Sequence, residues 1–132
     1  VRQHRAMDSL RRRLPSRLCR ELQASDDPRA KEALDLFTLR IAGEIGRLSM
    51  SIGGLDAVVF TAGIGENDAA VRSAVAGHLG WIGLTLSEDA NQKNAPCIST
   101  PESPVKAFVI PTNEERVIAE EAFAVSNGKV QA

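Results

Sequence analysis

The sequence predicts an α/β protein: one long amphipathic helix followed by two strand-then-helix units. Three observations carry this. Apolar residues recur at steps of three or four from Ala30 to Ile52, two short apolar runs lie at 57–60 and 105–110, and a helix-starting segment follows each run. Right-handed crossovers set the carboxyl ends of both strands on one edge of the sheet, the edge at which open α/β sheets bind ligands.

Residues 1–22 show no sustained apolar period, and Pro15 interrupts any helix they attempt. Asp26-Asp27-Pro28 reads as a helix start, an acidic cap with proline in the first turn. Behind it Ala30, Leu34, Phe37, Ile41, Ile45, Leu48 and Ile52 form one stripe along a helix that Gly53-Gly54 ends. Ala57 to Phe60 has no polar alternation, which predicts a strand covered on both faces. A short helix is expected from about Asn67 to Gly77, with Ala70, Val71, Ala74 and Val75 facing inward. Leu79 to Leu86, broken by Gly80 and Gly83, predicts a compact turn and a short extended piece. Ser87 to Pro104 is the main loop, with a helical turn at Glu88–Lys93. Val105 to Ile110 is the second strand, and Pro111-Thr112-Asn113-Glu114-Glu115 starts a last helix reaching about Phe123. The tail after Ser126 is expected to fray.

Composition narrows the function classes. At 132 residues with 43% hydrophobic and 25% charged content, the chain has room for one folded domain with a real core. Its net charge of −1 hides an asymmetry, because residues 1–20 hold seven arginines against one acid, Asp8. That +6 is offset by −7 in the remainder. The arginine-rich beginning lacks interleaved aromatics and any binding motif, so a nucleic-acid partner is not expected. Its acid-poor composition is shared with transit peptides, but no clean amphipathic pattern or cleavage site follows. No apolar run approaches membrane-spanning length. Cys19 and Cys97 form no CxxC pair, as suits a reducing cytoplasm, and with His4 and His78 they build no metal-ligand cluster.

Chemistry concentrates in Thr61-Ala62-Gly63-Ile64-Gly65-Glu66-Asn67, directly after the first strand. A glycine turn opening a helix brings backbone N–H groups and a helix N-terminus together, an arrangement that favours phosphate. The same residues also suit a ligand-free turn in which glycine supplies positive φ and Asn67 or Asp68 caps the helix. The dinucleotide fingerprint fails because Asp68 stands at its third glycine, and the P-loop fails because no lysine follows. Thr112 and Glu115 make a capping box at the start of the last helix.

Phe60-Thr61-Ala62-Gly63-Ile64-Gly65-Glu66-Asn67 closely resembles the adenosine-contacting turn of acetate kinases. Val109-Ile110-Pro111-Thr112-Asn113-Glu114-Glu115 with Ile118-Ala119 resembles the segment near that family's C-terminus. Leu79-Gly80-Trp81-Ile82-Gly83 and residues 99–105 fall between them in the family's order, so the resemblance covers residues 23–126. It implies the C-terminal part of a ribonuclease-H-like, actin-like ATPase fold. It also implies transfer of the ATP γ-phosphoryl to acetate, giving acetyl phosphate and ADP, with Mg²⁺. Carried onto this chain, the resemblance makes Gly63, Ile64, Gly65, Glu66 and Asn67 nucleotide-binding, with Arg20 beside them, and Glu114 the magnesium-linked glutamate. A homodimer is implied for the full-length family member.

Departures from the family pattern set further expectations. Leu18 stands where the family's aspartate precedes Arg20, and nothing upstream of Arg20 matches. An arginine-rich run joined abruptly to family sequence, in a chain that begins with Val1, is the expected mark of a frameshift, a wrong start or a truncated gene. Residues 1–22 are then a non-matching, disordered segment, 23–126 the nucleotide-binding portion, and 127–132 a tail. The family's catalytic aspartate and acetate-site arginines belong to an N-terminal half with no counterpart here, so no catalytic residue is assigned and the chain is expected to be inactive alone. A propionate or butyrate kinase, or a non-catalytic nucleotide-binding or dimerisation module, stands as the alternative.

Overall fold

The computed structural model describes residues 17–113 and 122–123. Residues 17–23 are helical (α1), which corrects the expectation of disorder for that part of the arginine-rich segment. Its anchor is legible in Cys19, which is buried, and in Gln23, whose side-chain amide donates to the Asp68 carboxylate at 3.0 Å.

The helix α2 (Pro28–Ser51) starts as its residues dictate: Asp27 is extended and accepts from the Arg29 N–H at 2.9 Å, and proline takes the first position. At its other end the Gly54 N–H donates to the Ser49 carbonyl at 2.9 Å, with Gly53 left-handed at φ 80°. Twenty-four residues make a rod about 36 Å long. Its inward face differs from the predicted stripe. Ala30 and Ala42 are buried with Ile41 and Ile45 against the core, whereas Phe37, Leu48 and Ile52 are exposed. Thr38 and Ser49 take the inward places, their hydroxyls donating to the carbonyls of Asp35 (3.1 Å) and Ile45 (2.7 Å). Satisfied within the helix itself, these hydroxyls are buried without loss.

Strand β1 (Ala57–Phe60) pairs in parallel with β2 (Lys106–Val109), in register Ala57 with Lys106 through Phe60 with Val109. Both carboxyl ends therefore meet at one edge. Val58 and Phe60 point into the core, but Val59 is half exposed, so β1 is covered on one face only. The unbroken apolar run predicts burial on both faces, whereas Val59 is left 49% exposed. On the far side of β2 the segment 96–99 runs antiparallel, with the Ile98 N–H donating to Ala107 at 2.8 Å and the Val109 N–H to Pro96 at 3.0 Å.

Between the strands the chain forms α3 (Ala62–Asn67), α4 (Ala69–His78), a 3-10 turn at Gly80–Ile82 and α5 (Glu88–Gln92). Gly83 is left-handed at φ 93° and closes the compact turn the two glycines predicted. The inward face of α4 is Val71, Arg72, Val75 and Ala76; Ala70 and Ala74, expected inside, are exposed. The core gathers Val58, Phe60, Val75, Leu79, Ile98 and Ala107 under α2 and α4. Outside it Gly46, Met50, Leu55, Trp81 and Ile82 line an open apolar groove of about 410 Å³. Beyond β2, residues 111–113, expected to open the last helix, are not helical, residues 122–123 are, and residues 114–121, with Glu114 and Glu115, lie outside the described residues.

Candidate functional site

The glycine segment leaves β1 through Thr61, which is extended, and Ala62, which is left-handed at φ 58°. From there it is a helix, not the open turn the sequence predicts. Neither Gly63 nor Gly65 is left-handed, so positive φ is not the reason for these glycines. For Gly65 the reason is a close approach: a Cβ there would stand 3.2 Å from the Phe60 carbonyl carbon and 3.4 Å from its Cα. α3 thus lies directly against the end of its own strand. Asn67 folds back, its side-chain amide donating to the Gly63 carbonyl at 2.9 Å.

Asp68 separates α3 from α4 and caps α4, accepting from the Val71 N–H at 3.0 Å. That carboxylate already occupies the α4 N-terminus, where an anion would otherwise be drawn. The ligand-free role that the sequence allows Asp68, capping the helix behind the glycines, is thus the one seen at α4.

The second motif comes to the same edge. The Ile110 N–H donates to the Phe60 carbonyl at 3.0 Å, extending the β ladder past the last paired residues. Two residues on, Thr112 donates to Glu66 Oε1 from both its backbone N–H (2.8 Å) and its hydroxyl (3.0 Å). Together with the Ala62 N–H, these donors hold the Glu66 carboxyl below the usual carboxylate range, the Thr112 backbone contributing most and partial burial opposing. Glu66 is therefore a brace across the edge. Arg20 sits on α1, one residue from the buried Cys19 and one turn from Gln23, which grips Asp68 at the α3–α4 junction. Burial and the charge of Asp68 both push the Cys19 thiol up.

One residue at this corner escaped the sequence reading. Arg72, fully buried, donates from Nε to Asn91 Oδ1 (2.7 Å) and from Nη1 to the Gly65 carbonyl (2.9 Å). Its Nη2 reaches the Asn91 carbonyl (2.8 Å) and Asn94 Oδ1 (2.5 Å). Burial pulls the Arg72 guanidinium down, and the Asp68 charge works against that. Its place on the inward stripe beside Val71 and Val75 was the available signal.

The sequence profile of the acetokinase family matches residues 14–120. The chain belongs to that family. This acetokinase-family chain is 49% identical over 104 residues to an acetate kinase of Rickettsia akari, covering 79% of the chain and 27% of that relative. It is 48% identical over 111 residues to an acetate kinase of Rhodopseudomonas palustris, covering 83% and 28%. Among solved structures it superposes on a propionate kinase from Francisella tularensis with a TM-score of 0.72 at 35% identity, covering 80% of this chain and 27% of that one. Porphyromonas gingivalis acetate kinase gives 0.72 at 31% identity, covering 81% and 28%. The chain thus spans little more than a quarter of the length of these relatives, and its fold is part of an α/β, actin-like ATPase domain.

In this acetokinase-family chain Gly63, Ile64, Gly65, Glu66 and Asn67 are consecutive residues of α3, and Thr112 meets them through Glu66. Glu114 lies outside the described residues. Among the described residues no three His, Cys, Asp or Glu side chains cluster as metal ligands, and Glu66 is engaged by Thr112. No helix among them is long and apolar enough to cross a membrane.

Proposed function

We propose that this chain is the nucleotide side of an acetate kinase, in which α3 and the segment after β2 bind the nucleoside part of ATP or ADP. The observation that carries this is the pair of hydrogen bonds from Thr112 to Glu66, which unites two family motifs at the carboxyl edge of a parallel sheet. Gly63 allows a ring or ribose to approach α3 closely, Gly65 seats α3 against the end of β1, Ile64 supplies an apolar contact, and Asn67 presents an exposed side chain. Arg20, on α1, is the further nucleotide-binding residue of this reading. With Asp68 capping α4, this reading gives that helix N-terminus no phosphate. Magnesium, where the nucleotide brings it, would take Glu114 as its one protein carboxylate in this reading, a hard oxygen ligand of the kind that ion prefers.

In the complete reaction the ATP γ-phosphoryl passes to the carboxylate of acetate, forming acetyl phosphate and ADP. That transfer depends on groups positioned on both sides of the phosphoryl. A chain spanning about a quarter of its relatives holds one side, so we assign it nucleotide binding without turnover. The likeness to a propionate kinase keeps a longer acyl acceptor as the second reading of the parent activity. A homodimer through the exposed face of α2, and a reducing cytoplasmic setting suited to the free thiols Cys19 and Cys97, complete the proposal.

Calorimetric titration with Mg-ADP, beside a hydroxamate assay with ATP and acetate, tests it. Saturable binding at one site without hydroxamate is the expected result, with Glu114→Gln weakening the magnesium dependence. A cooperatively folded chain that takes up no nucleotide overturns the binding assignment, and turnover overturns the inactivity.

A further inference from the structure

The geometry points to Arg72 as the positioning residue for α3, the helix on which the nucleotide reading above rests. A buried guanidinium is costly unless its donors are met, and a leucine or methionine fills the same space without that cost. Here the donors are met by neutral oxygens on three separate segments: Gly65 on α3, Asn91 on α5, and Asn94 beyond it. Asn91 in turn donates from Nδ2 to the Ala69 carbonyl at 2.9 Å, closing the ring onto the start of α4. Asn94 holds a left-handed backbone, φ 50°, while its side chain reaches Arg72.

Only one arm of this knot reaches the candidate site, the bond from Nη1 to the Gly65 carbonyl. Gly65 is thereby gripped on two sides, by the backbone of Phe60 in front and by Arg72 behind. The height and tilt of α3 over the sheet edge follow from that grip. Arg72 does not touch the nucleotide; it fixes the surface that does. Its role is geometric, carried by the fork of the guanidinium, and a point charge at the same place does not reproduce it.

The test uses the full chain with Arg72→Lys and Arg72→Met, and two amide protons as reporters. The Asp68 N–H, bonded to the Ile64 carbonyl at 2.9 Å, reads α3, and the Ile110 N–H, bonded to Phe60, reads the sheet. Both variants should lose about tenfold or more of the exchange protection at Asp68 while keeping it at Ile110, and weaken Mg-ADP binding by a similar factor. Arg72→Lys retaining both protection and affinity overturns the proposal, as does an equal loss at Asp68 and Ile110, which reports general destabilisation. Should Arg72→Met not fold, Asn94→Gly removes one acceptor and keeps the left-handed backbone: loss at Asp68 supports the anchor and unchanged exchange overturns it. A parent chain that ignores Mg-ADP ends the nucleotide link together with the proposed function, and the exchange measurement still decides the anchor.

Discussion

Glu66 and Thr112, 46 residues apart in sequence, share two hydrogen bonds across the carboxyl edge of the sheet, at 2.8 and 3.0 Å. The first ties the carboxylate to backbone, so the position of α3 relative to the chain after β2 does not depend on side-chain packing alone. Charge-assisted bonds of this kind are stronger than neutral ones, and here they connect two exposed segments that have little else in common.

Acid should loosen this brace. The Glu66 carboxyl titrates lower in the folded chain than its ordinary 4.5. Its contribution is therefore complete above that value and is lost as pH falls through the lowered folded value. Urea midpoints measured from neutral pH down into the acid range should fall more steeply for the parent than for Glu66→Gln. Parallel curves for the two proteins would contradict the linkage.

Gly65→Ala and Gly43→Ala should move stability in opposite directions. A Cβ at Gly65 meets the Phe60 backbone at 3.2 Å, which α3 relieves only by shifting, at a cost of about 1–3 kcal/mol. At Gly43 a Cβ meets nothing within 4 Å, and alanine in that helix should stabilise by roughly 0.5–1 kcal/mol. Chemical denaturation of both variants checks the pair.

Ala62→Gly should raise stability. The left-handed φ of 58° costs an alanine about 1–2 kcal/mol, which exceeds the roughly 0.5–1 kcal/mol of extra freedom glycine gains on unfolding. A thermal midpoint that stays level or falls would show that Ala62 carries no such strain.

Polar substitution on the outer face of α2 should leave the fold intact and reduce self-association. Met50 and Ile52 are 87% and 72% exposed, close to the groove beside Trp81, itself 75% exposed. Contiguous apolar surface of this kind drives association in water. Met50→Lys with Ile52→Thr should change unfolding free energy by less than about 0.5 kcal/mol while shifting a concentration-dependent sizing profile toward the monomer. An unchanged profile would mean that this face does not mediate association.

The sequence spoke most clearly where local signals agree. Asp27-Pro28 and Gly53-Gly54 bracket α2, the unalternating run Ala57–Phe60 marks a parallel strand, and the helical turn expected at Glu88–Lys93 is α5. It misled where tertiary contacts decide. Two glycines within six residues read as a turn, yet α3 is a helix, held from outside by Phe60 and Arg72 and from within by Asn67. Of the inward face expected for α4, Val71 and Val75 are buried and Ala70 and Ala74 are not; Arg72 is inside because acceptors at Gly65, Asn91 and Asn94 meet it, two of them about 20 residues downstream. The exposed flank of α2 was counted as core because periodicity reports that a face is apolar, not what lies against it. Of the two motifs, the glycine segment and Thr112 are seen together; Glu114 rests on sequence alone.

The parallel register of β1 and β2 carries a kinetic consequence. Ala57 must wait for Lys106, so almost the whole intervening stretch has to leave the ribosome before the sheet can close. α2, which needs only its own neighbours in sequence, forms early and offers its inward face as a template. The brace at Glu66 comes last, when Thr112 emerges, and until then the corner it closes exists only as separate pieces.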